Sequence, residues 1–215
     1  MDQVIVKAPS SKSVSHRRLI GAALARGESR LSGVLESRDI EQTRSVLEDT
    51  GARFERIAPG EWRVLGMGGG PRGGDAVPVS CYVHESGTTC RLLTAVLASG
   101  LGQFRVHGAP RMHSRPIGEL TAALERLGVA VRFENEAGYP PFILKTRGLE
   151  GGSLEIGLGE SSQYLSGLLL AAPQAKSPVT IEICGSHVVS WPYIGLTLQS
   201  MHDFGVRFDV STRDS

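Results

Sequence analysis

LEDTGARFERI (47–57), LERLGVAVRFE (124–134) and MHDFGVRFDVS (201–211) are one pattern written three times. Each carries a helical run of apolar residues onto a glycine (Gly51, Gly128, Gly205) and leaves it in an alternating, strand-like run. The glycines stand 77 residues apart on both steps. A helix that ends on such a glycine is using the one residue that enters the left-handed region without steric cost. The period exceeds the roughly 20–50 residues of solenoid repeats. Three copies of one supersecondary unit, packed on a shared core, are therefore expected.

Working outward, SRDI (37–40) and SRPI (114–117) are separated by the same step, and Ile194 continues the series from Ile117. A second register opens each unit. SSKSVSHRRLIGAAL (10–24), ESGTTCRLLTAVL (85–97) and ESSQYLSGLLLAA (160–172) each set small polar residues, suited to helix N-caps, before an apolar helical run. In that register Arg17 and Arg91 align at 74 residues, and Glu85 and Glu160 at 75. The patterns predict a first helix at about 13–26, 88–99 and 162–172, then a strand at 29–34, 103–107 and 179–184. A second helix follows at about 40–50, 117–127 and 193–204. After each glycine comes a strand (53–57, 130–134, 206–210), with a return strand in the first two units (61–65, 142–146). The third unit has no return strand before Ser215, and the ending reads as a cut. One domain of pseudo-repeats, about 1–70, 75–147 and 150–215, is expected. GMGGGPRGGD (66–75) lacks the lysine of a phosphate-binding loop and precedes a strand-like run at 77–83, so it reads as a flexible linker.

Composition narrows the function classes. At 40% hydrophobic residues the chain can fill a core, which excludes intrinsic disorder. A formal charge of +1 provides no global field for nucleic acid or an acidic membrane. No apolar run reaches the ~20 residues of a membrane span, and MDQVIVKAPSSKS lacks a signal peptide's regions. Three widely spaced cysteines read as reduced thiols of a cytoplasmic protein. The six histidines show no metal-binding spacing.

The densest chemistry lies in SSKSVSHRR (10–18). Lys12, Arg17 and the free N–H groups of a helix start would make an anion site. ESGTT (85–89) and ESSQ (160–163) put two more such starts at equivalent positions, and three-fold packing would bring them to one end. Arg115, held extended by Pro116, can present its guanidinium as a fork, with Arg111 as competitor. Arg38 holds the repeat-equivalent place, but Asp39 beside it argues for local pairing. Ser190 and Tyr193 flank the turn of SWPY, Ser190 as cap or phosphate contact. Gln163 can donate and accept beside Ser161 and Ser162. No acid/base pair stands out.

APSSKSVSHR (8–17), ESGTTCRLL (85–93), GAPRMHSRPIGEL (108–120), ESSQYLSGLLLAAP (160–173) and VVSWPYIGLTL (188–198) together resemble the 3-phosphoshikimate 1-carboxyvinyltransferase (EPSP synthase) family. The resemblance implies an α/β (α+β) fold of three repeated βαβαββ units packed around buried parallel helices. This would be one half of the family's inside-out barrel, with a second domain of the same enzyme as partner. It implies transfer of an enolpyruvyl group from phosphoenolpyruvate to the 5-hydroxyl of shikimate 3-phosphate, with release of phosphate and no metal or organic cofactor. Lys12 matches the lysine between the two substrates. Ser13, Arg17, Ser161, Ser162, Gln163, Ser190 and Tyr193 match groups around shikimate 3-phosphate. Gly87, Arg115 and again Gln163 match the phosphoenolpyruvate side. Leu92 and Gly195 depart from the family's frequent proline and aspartate. The proton-transferring groups come largely from the second domain, so this chain alone is expected to be inactive. Alternatives are another enolpyruvyl transferase or a non-catalytic ligand-binding module.

Overall fold

The computed structural model describes residues 10–185 and 190–211. The first unit runs α1 (Lys12–Leu24), β1 (Glu28–Leu31), α2 (Arg38–Asp49), β2 (Arg53–Ala58) and β3 (Glu61–Leu65). The second is β4 (Val79–Tyr82), α3 (Gly87–Ala98), β5 (Leu101–His107), α4 (Gly118–Arg126), β6 (Ala130–Phe133) and β7 (Phe142–Arg147), a complete βαβαββ unit. The third is β8 (Gly152–Gly157), α5 (Ser162–Ala171), β9 (Val179–Cys184) and α6 (Trp191–Asp203). The strand that would open the first unit falls outside the described residues.

Each unit keeps its sheet to itself. The first is ordered β1-β3-β2 and antiparallel; the second is β4-β5-β7-β6, with only β4 and β5 parallel; the third is the parallel pair β8-β9. Parallel neighbours need a crossover, and α3 and α5 supply it. These crossover helices are the core. Ten of the twelve residues of α3 and eight of the ten of α5 are buried, so neither has a polar face to give to water. Gly167 of α5 lets the two approach: a Cβ there would lie 2.9 Å from the Arg91 carbonyl. Burying Leu92, Leu93, Val96 and Leu97 contributes roughly 1.5–3 kcal/mol each before entropy is counted. By contrast α4 buries one stripe, Leu120, Thr121, Ala123 and Leu124.

The helix ends follow the expected chemistry. Ser11, Ser86 and Ser161 cap α1, α3 and α5, accepting from the N–H of Val14, Thr89 and Gln163. Gly51, Gly128 and Gly205 take φ of 125°, 91° and 76° behind α2, α4 and α6. Two expectations fail. Residues 206–210 form no strand, because β2 and β6 pair only with a return strand and the third unit has none among the described residues. Nor is 66–75 a flexible linker. Gly66 and Met67 donate to the carbonyls of Gly27 and Ala23, Arg72 to Thr50, and Gly73 and Gly74 to Leu101 and Gln103. It is a pinned strap, glycine-rich because backbone crosses backbone: a Cβ on Gly70 would sit 2.4 Å from the Ser99 carbonyl oxygen.

Candidate functional site

The first turns of the helices meet at one end. Lys12, the first residue of α1, forms an ion pair with Asp39 of α2. Thr89 of α3 donates its hydroxyl to the Asp39 carbonyl (3.2 Å), and Gln163 of α5 donates to the Thr88 hydroxyl (3.0 Å). Arg17 of α1 reaches the Tyr193 carbonyl in the first turn of α6 (3.1 Å). Asp39 therefore pairs across helices with Lys12, not locally with Arg38, which is exposed. Burial works to raise the Asp39 carboxyl, but the Lys12 ammonium, with the Ser86 hydroxyl and His16, outweighs it and holds the group below its ordinary range.

Charge is arranged to leave this end positive. The first turns of α1, α3, α5 and α6 contain no acidic residue, whereas α2 carries Asp39 and Glu41, and α4 carries Glu119. Uncompensated helix N-termini, each with about half a positive charge, attract anions. Four cations stand among them: Lys12, Arg17, Arg91 and Arg115.

Arg17 is only 2% exposed. Its Nε donates to the Thr197 hydroxyl (2.6 Å), its Nη1 to the Ser13 carbonyl (2.9 Å), and its Nη2 to the Ser166 hydroxyl (3.0 Å) as well as to Tyr193. One of its five N–H groups, on Nη1, is left over. Burial lowers its pKa to about 10, so it stays charged at neutral pH. Arg115 follows a short 3-10 turn (Pro110–Ser114) in extended conformation, φ −98° and ψ 121°, as Pro116 requires. Its guanidinium lies against Gly87, where a Cβ would fall 2.5 Å from Nη1; Arg111, its competitor, is exposed.

Among the other expected residues, Ser161 is spent as a cap, and Ser162 is buried at the start of α5. Ser190 precedes α6 in left-handed conformation (φ 62°), is exposed and makes no cap bond. Tyr193 is 44% exposed, not core. Among the described residues, the hydroxyls of Ser13, Ser162 and Ser190 have no hydrogen-bond partner, and no group of three or more His, Cys, Asp or Glu residues is placed to hold a metal ion.

Two features went unread in the sequence. Arg91 donates to Gln163 Oε1 (3.2 Å) and lies 5.5 Å from the centre of the Tyr164 ring, so it sets which way the Gln163 amide faces. The signal was its place in the repeat, but the register was off by one. The capping serines stand 75 apart on both steps, which aligns Arg91 with His16 and Ser166 rather than with Arg17. The other is a buried chain from His16 Nδ1 to Thr43 (2.8 Å) to Thr89 (2.9 Å), joining α1, α2 and α3 beneath the site.

Fold and site define an α/β protein of three repeated units whose helix starts gather cations at one end. A family model described as EPSP synthase (3-phosphoshikimate 1-carboxyvinyltransferase) matches residues 3–215, and the chain belongs to that family. It is 42% identical over 204 residues to the 3-phosphoshikimate 1-carboxyvinyltransferase of Marinomonas sp. (strain MWYL1), covering 95% of this chain and 47% of the relative. The namesake from Shewanella denitrificans is 41% identical, with 97% and 48% covered. The solved EPSP synthase of Acinetobacter baumannii superposes with a TM-score of 0.80 at 27% identity, over 97% of this chain and 44% of that one. The chain thus spans about half the length of the relatives it matches, and its repeated α/β architecture is that of the family fold.

Proposed function

We propose that this chain is the shikimate 3-phosphate-binding domain of an EPSP synthase. The enzyme would transfer the enolpyruvyl group of phosphoenolpyruvate to the 5-hydroxyl of shikimate 3-phosphate and release phosphate. The observation that supports this most is the ring of acid-free helix N-termini set with cations and unpartnered hydroxyls, in a chain of that family. In this reading Ser162 and Ser190, with the capping Ser161, surround the phosphate of shikimate 3-phosphate. Ser13, Tyr193 and the spare N–H of Arg17 hold the rest of that substrate. Lys12 stands between the two substrates and is the catalytic residue of this half. Gly87 and Arg115 receive phosphoenolpyruvate, and Gln163, oriented by Arg91 and Thr88, touches both. A second domain supplies the remaining groups, no metal or organic cofactor takes part, and the enzyme works in the cytoplasm.

A two-dimensional NMR titration of the 215-residue chain with shikimate 3-phosphate tests this. Shifts are expected at Lys12–Arg17, Ser161–Gln163 and Ser190–Tyr193, with negligible response to phosphoenolpyruvate alone. Losing one charge-assisted hydrogen bond costs roughly 1.5–3 kcal/mol, about tenfold or more in affinity, so Ser162→Ala and Ser190→Ala should each weaken binding by that factor. Neither hydroxyl supports the fold, so the spectra should otherwise be unchanged. A flat titration on folded protein, or variants that bind as tightly as the parent, would refute the assignment.

A further inference from the structure

Three backbone carbonyls stand at equivalent places in the three units. Asp39, Pro116 and Tyr193 are 77 residues apart on both steps, each just ahead of the repeated isoleucine (Ile40, Ile117, Ile194) at the start of a second helix. Each accepts a hydrogen bond from the first helix of another unit. The Thr89 hydroxyl of α3 donates to Asp39 (3.2 Å), the Tyr164 hydroxyl of α5 to Pro116 (2.9 Å), and Arg17 Nη2 of α1 to Tyr193 (3.1 Å). Thr89 and Tyr164 match each other in the repeat, both standing three residues after a capping serine. At that place α1 has Val14, which has no side-chain donor, and Arg17 three residues later takes over. The bonds run in a cycle, second unit to first, third to second and first to third. A bond that persists while its donor changes from threonine to tyrosine to arginine is a built feature of the fold.

The bond on Pro116 has the most to hold. The guanidinium of its neighbour Arg115 has no hydrogen bond or ion pair with any described residue, so its place is set from the backbone. Proline has no N–H, which leaves the carbonyl as the one backbone handle at 116. On either side of it, Arg115 N–H bonds within the 3-10 turn to Met112 (3.1 Å), and Ile117 N–H bonds to Gly138 (2.9 Å) in a turn. Tyr164 therefore makes the hydrogen bond that joins this segment to the buried helices. It is itself fully buried. Burial above all, opposed by Arg91 and assisted by Glu160, holds the phenol above its ordinary pKa, so it keeps its proton to give. That single proton has two claimants, since a Glu160 carboxylate oxygen lies 3.0 Å from the hydroxyl. The ring has a separate duty: Arg91 lies over its face at 5.5 Å and donates from there to Gln163.

We propose that Tyr164 is a positioning residue: by holding the Pro116 carbonyl, its hydroxyl sets Arg115 against Gly87 at the start of α3, ready for an anion. The proposal rests on the reading of Arg115 as a phosphoenolpyruvate-side group. It gives one side chain of α5 control of two groups on that side, Gln163 through the ring and Arg115 through the hydroxyl. Glu160 works against the hold by drawing the same proton, so removing its charge leaves the hold intact.

The arginine Nε–H resonances of the 215-residue chain test it, with inorganic phosphate as the probe. In the parent, the Arg115 resonance should shift as phosphate is added. Tyr164→Phe keeps the ring and removes only the hydroxyl, and should weaken that response about tenfold. The Gln163 side-chain amide, and the shifts that shikimate 3-phosphate causes at Ser162 and Ser190, should stay as in the parent; a change that merely loosened the fold would move them together with Arg115. Glu160→Gln, at an exposed site, should respond at Arg115 as the parent does or more tightly. A phenylalanine variant that takes phosphate at Arg115 as well as the parent would overturn the proposal, as would a parent whose Arg115 is silent. So would Glu160→Gln weakening the response, an arm that decides even if Tyr164→Phe does not fold. If shikimate 3-phosphate moves nothing while the Arg115 results are as expected, the substrate assignment falls and the positioning role stands. If shikimate 3-phosphate binds and the variants behave otherwise at Arg115, the positioning role alone falls.

Discussion

Replacing His16 by glutamine should remove about 2 kcal/mol of this fold's acid sensitivity between pH 7 and pH 5. His16 is fully buried in α1, its Nδ1 bonded to Thr43 and its Nε2 buried without a partner. Burial above all, together with the neighbouring charges of Lys12 and Arg17 and against the pull of Asp39, lowers its pKa from 6.5 to about 4. The folded chain therefore refuses a proton that the unfolded chain accepts at any pH below 6.5. Between those two values the unfolded state binds more protons, so stability falls as the pH falls, and the loss is complete near pH 4. The gap between 6.5 and about 4 corresponds to roughly 3.4 kcal/mol in all. Integrated to pH 5 it gives about 2 kcal/mol, and at pH 7 only about 0.2 kcal/mol. Urea midpoints of the parent and of His16→Gln, measured from pH 7 to pH 5, isolate this contribution, since every other titrating group is common to both. The parent should lose about 2 kcal/mol more than the variant over that range. Parallel curves would show that His16 takes up a proton in the folded state, and the reasoning from its burial would fall.

Two further outcomes follow from side-chain and backbone placement. Within the strap, Gly70→Ala drives a Cβ to 2.4 Å from the Ser99 carbonyl oxygen, while a Cβ on Gly69 meets nothing within 4 Å. Thermal unfolding should show Gly70→Ala destabilised by at least about 2 kcal/mol and Gly69→Ala changed by less than about 0.5 kcal/mol; equal effects would mean the strap is not pinned. Cys81 and Cys90 are buried, which pushes both thiols up to about 12, whereas Cys184 is exposed. Iodoacetamide at pH 8 should then modify Cys184 alone in native protein and all three thiols in denaturant, as read by mass spectrometry.

The helices and their ends were legible because their signals are local. A serine before an apolar run and a glycine after it are each read from a few neighbouring residues: Ser11, Ser86 and Ser161 cap their helices and Gly51, Gly128 and Gly205 follow theirs as expected, while Ser190 before α6 makes no cap bond. What the sequence hid depends on partners. Residues 206–210 have the alternation of a strand and stay single, since a strand exists only by pairing. The glycines of 66–75 look identical to those of a flexible linker, because composition does not say whether the absent Cβ would have met water or another backbone. The roles of Arg91 and Asp39 were hidden for a related reason. Their partners, Gln163 and Lys12, lie 72 and 27 residues away, and only the convergence of the helix starts brings them together.

That convergence also ranks the cations by how far each is already committed. Lys12 is matched by the carboxylate of Asp39. Arg17 spends four of its five N–H groups on neutral oxygens inside the protein. Arg91 is divided between the Gln163 amide and the face of Tyr164. The guanidinium of Arg115 alone among the four has no hydrogen bond or ion pair with any described residue, and it rests against the start of α3 at Gly87, where a Cβ would fall 2.5 Å from Nη1. Under the proposed function, an anion would meet Arg115 without first displacing a partner from its guanidinium. In that reading Lys12 and the spare N–H of Arg17 would also meet substrate, whereas Arg91 would act by fixing the Gln163 amide. A preorganised surface of this kind costs little to rearrange on binding, which is where its affinity would come from.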